Sequence, residues 1–225
     1  MNNHARNYKV PKPIMPEKQF LDKHPRPLVT VDIVIISESK DYLDVLLIQR
    51  KNHPFSNFWA LPGGFILKDE SPYQAADRKL KSETNLAQIP LYPIGVFGEP
   101  CRDPRGWVIS FAFCAVVKAN SVTPFAGDDA SKAKWFRLKW KNKKDFLSIF
   151  ITHNEQTLSA KLKLKQKDTS LGITVRFELI ENNNIAFDHA KILATALHLI
   201  EQKKILNGEN DYDKRTGNFR NSNKI

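Results

Sequence analysis

A single α/β (α+β) domain is the architecture that the sequence predicts, on three observations. The 225 residues, 41% hydrophobic and 26% charged, suffice for one sizeable core but not for two full domains. Runs of β-branched and apolar residues recur along most of the chain, bounded by polar turns. Two stretches switch instead to helical spacing, one shortly after a glycine pair and one near the C-terminal end.

In order along the chain, residues 1–26 carry several prolines and no periodic pattern, and are expected to form an extended arm ahead of a domain over 27–202. Val29 to Ser37 and Tyr42 to Gln49 read as two strands joined through the polar ESKD. The turn-rich KNHPFSNFWALPGGF follows, and Gly63-Gly64 permits close backbone approaches that a Cβ would forbid. Ser71-Pro72-Tyr73-Gln74 then opens a helix to about Thr84: serine suits the N-cap, proline the first helical position, and Gln74 completes a capping box. Tyr73, Ala76 and Leu80 should form its buried stripe. Pro93 to Phe97, Trp107 to Lys118 and Lys134 to Trp140 are expected strands. Leu158 to Leu164 and Ile173 to Leu179 alternate across KQKDTSLG, which predicts a hairpin. A final helix runs from Asp188, its expected cap, to about Gln202 with Ile192, Leu193 and Ala196 on one stripe. Residues 203–225 hold too few apolar side chains to pack and are expected to be disordered.

Composition excludes several classes. No apolar run reaches the roughly 18 residues of a membrane span, and the polar N-terminus lacks a secretory h-region, so the cytoplasm is the expected location. Cys101 and Cys114 form no zinc-ligand spacing; Cys114 sits in an apolar run and reads as core. The formal charge of +11 admits a polyanionic partner. Much of it lies where Lys161, Lys163 and Lys165 alternate with Leu162 and Leu164, however, and this pattern reads as a charged edge strand that resists aggregation.

The chemistry-bearing pattern begins at the glycine pair. Gly64, five residues, Glu70, seven residues, Arg78 and then KLKSETNL stand at the spacing of the Nudix box, preceded by ALPGGF. Gly64, Glu70, Arg78, Leu80, Glu83 and Leu86 match that box. The chain therefore resembles the Nudix superfamily. RKNHPFSNFWALPGGF, RDPRGWV, AGDDA and IAFDHAKIL further resemble its branch of ADP-ribose hydrolases and Nudix-related transcriptional regulators of NAD metabolism. The resemblance implies the Nudix fold, a mixed sheet between helices, here with an additional hairpin. It also implies a nucleoside diphosphate ligand, magnesium as the hydrolytic cofactor and a homodimer.

Magnesium needs hard oxygen ligands, which a helix supplies by presenting carboxylates at offsets zero, three and four. Here those positions are Lys79, Ser82 and Glu83, so one carboxylate of three remains. An ammonium about 4 Å from a cation costs about 4 kcal/mol at an effective dielectric near 20, enough to lower metal affinity or rate by about a thousandfold. The expectation is a nucleotide-binding protein with weak or lost hydrolysis, in which Lys79 pairs with Glu83, meets a phosphate in place of the metal, or points to solvent. An active hydrolase would need Asp69, Glu70, Asp128 or Asp129 to rebuild the metal site around Glu83, with Glu83 and Glu70 as its catalytic carboxylates. By resemblance Arg50 is a pocket arginine, Trp59 a wall of the pocket or a core residue, Asp103 and Arg105 ligand contacts or a local pair, and Arg78 the structural partner of Glu70. The relatives' winged-helix module follows the segment like IAFDHAKILATAL, and the 25 residues after Ile200 lack a helix-turn-helix pattern. Sequence-specific DNA binding is accordingly not expected.

Overall fold

The computed structural model describes residues 24–84, 89–119, 123, 130–169, 172–202, 212–213 and 218–219. Of the expected arm and tail, residues 1–23 lie outside that set. So do 203–225, apart from a short ladder pairing Tyr212–Asp213 with Asn218–Phe219.

The frame is one ten-stranded sheet. β1 (Leu28–Glu38), β2 (Leu43–Arg50), β3 (Trp59–Ala60), β4 (Gly63–Phe65), β5 (Tyr92–Phe97), β6 (Val108–Lys118), β7 (Ala130–Lys143), β8 (Phe146–His153), β9 (Gln156–Thr169) and β10 (Gly172–Asn183) run in the order β10-β9-β8-β7-β2-β1-β6-β5. β3 adds to β2 and β4 to β1. Among the named strands only β1 and β6 form a parallel ladder, over eleven residues from Leu28↔Val108 to Glu38↔Lys118. A strand covered on both faces must be apolar at successive positions, and Ile33 to Ile36 in β1 are all fully buried.

Two helices supply those covers. α1 (Pro72–Thr84) packs Ala75, Ala76 and Leu80 against Val31, Ile33, Ile35 and Phe113. α2 (His189–Glu201) packs Ile192, Leu193 and Ala196 into the larger cluster with Val34, Ile36 and Leu47. Since alternate residues of a strand point to opposite faces, the helices flank the sheet, as the resemblance implied. The capping box forms: Gln74 N–H donates to Ser71 Oγ at 3.2 Å, and Ser71 N–H to Gln74 Oε1 at 2.8 Å. Tyr73 departs from expectation. It is half exposed, with its ring edge-on to Phe113, and Ala75 takes its place in the buried stripe.

The C-terminal half differs most from the sequence reading. A four-stranded meander, β7 to β10, replaces one short strand and a separate hairpin. FLSIFITH alternates correctly for β8, burying Leu147, Ile149 and Ile151. Its turns carry Lys144 and Asn154 at φ 53° and 51°, positions where Asn-Gly or Gly is the usual signal, so Lys144-Asp145 gave little warning. The lysine-rich strand is also not the edge. β10 lies outside it, and Lys161 and Lys165 pair with Glu181 and Glu178 across the ladder at 3.4 and 3.1 Å. Cys114 is core, its thiol pushed up to about 12 by burial.

Gly63 and Gly64 are both needed, for different reasons. A Cβ at Gly63 would stand 2.2 Å from the Val31 carbonyl oxygen, while one at Gly64 would meet Lys79 Cε at 2.5 Å. Backbone cannot yield as a lysine tip can. Gly63→Ala is therefore expected to cost about 2–3 kcal/mol of stability, and Gly64→Ala far less while displacing Lys79; urea denaturation of both variants checks the order.

Candidate functional site

Beside the glycine pair opens a cleft of about 470 Å³. β4 forms one wall, α1 another, and the loops before β6 and α2 close the far side. Five cationic side chains, Arg50, Arg78, Lys79, Arg102 and Arg105, line it against three carboxylates, Asp32, Glu83 and Asp103. The surplus favours an anion.

Lys79 is not a solvent-facing lysine. Its ammonium lies 3.3 Å from Glu83 Oε1, both side chains are largely buried, and its stem rests on Gly64. The other Glu83 oxygen accepts the Gly63 N–H at 3.2 Å. Ser82 is exposed and its hydroxyl donates to the Lys79 carbonyl at 3.3 Å. Among the described residues no three His, Cys, Asp or Glu side chains gather as a metal site. A magnesium ion would meet an ammonium and a carboxylate already bound on both oxygens, so this donor set does not fit the family's cofactor. Asp128 and Asp129, two of the carboxylates expected to rebuild a metal site, lie outside the described residues.

Arg78 supports the loop. It donates to Glu70 through Nε at 2.6 Å and through a terminal nitrogen at 2.9 Å, and to the Phe65 carbonyl at 3.1 Å. The Arg78 hydrogen bonds, with the Leu67 N–H, hold the Glu70 carboxyl down to about 2. Glu70 itself stays outside the cleft lining, as does Leu80 in the core. Asp103 and Arg105 form a local bidentate pair, closest at 2.6 Å, and both still face the cleft. Burial pushes the Asp103 carboxyl up, but its bonds to Arg105 outweigh this and leave it below the ordinary value. Arg50 donates to the Pro54 carbonyl at 2.9 Å and lies over the Phe187 ring at 4.7 Å. Trp59 is placed in the core, 2% exposed and edge-on to Phe136, and does not line the cleft.

Beneath the cleft is a buried network that the sequence reading mostly missed. Arg102, in the loop before β6, grips Asp188 at 2.6 and 3.0 Å and reaches Asp32 at 3.4 Å. Ser110 donates to Asp32 Oδ2 at 2.5 Å. Asp188 precedes α2 but makes no side-chain cap there, because the arginine claims both its oxygens. Burial pushes Arg102 down, and Asp188 and Asp32 more than reverse this, so its pKa is raised. The available signals were a charged Asp32 in the middle of β1 and a serine, Ser110, inside the apolar run of β6.

His189 completes the floor. The Leu61 N–H donates to its Nδ1 at 2.9 Å, which places the neutral ring's proton on Nε2, 3.4 Å from Asp32 Oδ1. Burial holds its pKa below the ordinary histidine value, against the pull of Asp32 and Asp188. Below about pH 6.5 the unfolded histidine binds a proton that the folded one does not, so stability falls as pH drops through that value. His189→Asn keeps an acceptor for Leu61 and removes the titration. Its melting temperature is expected to fall less than the wild type's when the pH is lowered from about 7 to about 5.5.

Residues 26–148 match the NUDIX domain. That is more than half of the chain, and the protein belongs to this family. It is 32% identical over 169 residues to the ADPR responsive transcriptional repressor NtrR of Acinetobacter baylyi, across 72% of this chain and 66% of that one. It is 43% identical over 112 residues to the ADP-ribose pyrophosphatase of Methanocaldococcus jannaschii, across 50% and 63% respectively. The chain thus spans just under two thirds of each curated relative. The crystal structure of a MutT/nudix family protein from Enterococcus faecalis superposes with a TM-score of 0.63 at 29% identity, covering 83% of this chain and 70% of that one.

Proposed function

We propose that the cleft binds a nucleoside diphosphate of the ADP-ribose type directly, with the Lys79 ammonium standing where relatives would place a divalent cation, and that hydrolysis is weak or lost. The observation that carries this reading is the Lys79–Glu83 pair at 3.3 Å laid over Gly64. A tethered cation is present at every magnesium concentration and cannot orient a water as a metal does. The two curated relatives, one named for response to ADPR and one for hydrolysis of ADP-ribose, support the ligand class. The role is then that of a ligand sensor in NAD metabolism, acting in the cytoplasm as a homodimer, with residues 27–202 as the working domain.

Calorimetry with ADP-ribose in the presence of a chelator is the test. Binding should survive chelation, gain little from added magnesium, and weaken about tenfold or more in Lys79→Ala, as expected for a lost charge-assisted contact. No binding without magnesium would refute the reading and favour the second one, a magnesium-dependent hydrolase. The lysine-rich strand is not assigned to DNA, since two of its lysines are paired across the ladder.

A further inference from the structure

Thr30 and Asp32 point to the same face of β1, two residues apart, where Val34 and Ile36 continue as buried core. Both line the cleft. Thr30 is 6% exposed, and its hydroxyl has no hydrogen-bond partner among the described residues. A buried hydroxyl without a partner is uncommon and costly, and calls for a ligand or a water. Asp32 beside it is held from behind by Ser110 and Arg102 on Oδ2, while Oδ1 has the long 3.4 Å contact to His189. A Cβ at Gly63 would stand 2.8 Å from Oδ1, so the glycine lets β4 lie close against Asp32.

We infer that Thr30 and Asp32 form a second subsite, which reads the hydroxyls of a pentose attached to the bound phosphate. The inference rests on the ligand class proposed above. Charge decides which part of the ligand goes where: a carboxylate repels phosphate but accepts from a neutral hydroxyl, whereas Lys79 does the reverse. The two glycines lie between the halves, Gly63 packing against Asp32 on one face of β4 and Gly64 against Lys79 on the other, and one cleft is lined by all four residues. A sugar phosphate has this order of groups, anionic at one end and rich in hydroxyl donors and acceptors at the other. A site built to bond a hydroxyl discriminates strongly against ligands that lack it.

The experiment compares wild type, Thr30→Val, Thr30→Ala and Thr30→Ser by calorimetry with ADP-ribose under chelation, and with inorganic pyrophosphate as the sugar-free probe. Valine and alanine remove an unpaired hydroxyl, so the ligand-free melting temperature should not fall for valine. Both variants should lose about fivefold to tenfold in ADP-ribose affinity, serine should retain it, and pyrophosphate should bind all four proteins alike. Unchanged ADP-ribose affinity in Thr30→Val and Thr30→Ala overturns the subsite, as does an equal loss toward pyrophosphate, which would mean the hydroxyl reads phosphate. Failure of the wild type itself to bind ADP-ribose under chelation is a different result, and removes the proposed function together with this extension.

Discussion

Replacing Lys79 and Ser82 together by glutamate is expected to raise ADP-ribose turnover in magnesium or manganese by about a thousandfold or more. The scaffold around these positions is that of the family: the loop is braced by Arg78 and Glu70, and Gly63 orients Glu83 from behind. What differs is charge. The two substitutions place carboxylates at offsets zero, three and four along α1 and remove the ammonium now 3.3 Å from Glu83. Near 4 Å and at an effective dielectric of about 20, that ammonium alone opposes a bound cation by about 4 kcal/mol, or roughly three decades in rate or affinity. Phosphate release from ADP-ribose is the measurement, with the added change Glu83→Gln expected to abolish the gain. Wild-type turnover equal to that of the double variant would show that the lysine never disarmed the site.

The difference in legibility between fold and site has physical causes. α1 was readable because Ser71, Pro72 and Gln74 act locally: capping is a property of four consecutive residues. The central strands were readable because β-branched runs bounded by polar turns are also local. The β8 strand was missed because Lys144-Asp145 and Asn154-Glu155 make tight turns without glycine, and the left-handed backbone at Lys144 and Asn154 is enforced by the flanking ladders. In the cleft, Lys79 and Glu83 stand four residues apart on one helix, a spacing at which a pair is legible locally. Arg102, Asp32, Ser110 and Asp188 are separated by up to 156 positions in the chain. Each had a sufficient local explanation as turn, strand or cap; the parallel pairing of β1 with β6 brings Asp32, Ser110 and the Arg102 loop together, and the packing of α2 on the sheet adds Asp188. Asp188 illustrates the general point. A cap is worth about 1 kcal/mol, and a buried arginine that would otherwise stand uncompensated is worth more.

That last comparison sets the size of the second effect, expected from Asp188→Ala. Arg102 is 3% exposed on its side chain and Asp188 8%, so water cannot replace the lost partner. Breaking a buried pair by removing one member costs about 3–5 kcal/mol. The lower end is expected here, because Asp32 still reaches Arg102 at 3.4 Å. For a chain of this size about 3 kcal/mol corresponds to a fall in melting temperature of roughly 6–12 °C. Glu70→Gln offers the contrast: its arginine partner is about one third exposed, and loss of so exposed an ion pair is expected to change stability little. Arg102 also sits in the loop that carries Asp103 and Arg105 into the cleft, and Asp188 ties that loop to the start of α2. Loosening the tie should therefore weaken ADP-ribose binding even at temperatures where Asp188→Ala remains folded, while Glu70→Gln unfolds at nearly the wild-type temperature. If Asp188→Ala melts with the wild type, the buried network is not what fixes the far wall of the cleft, and the arginine has found another anion.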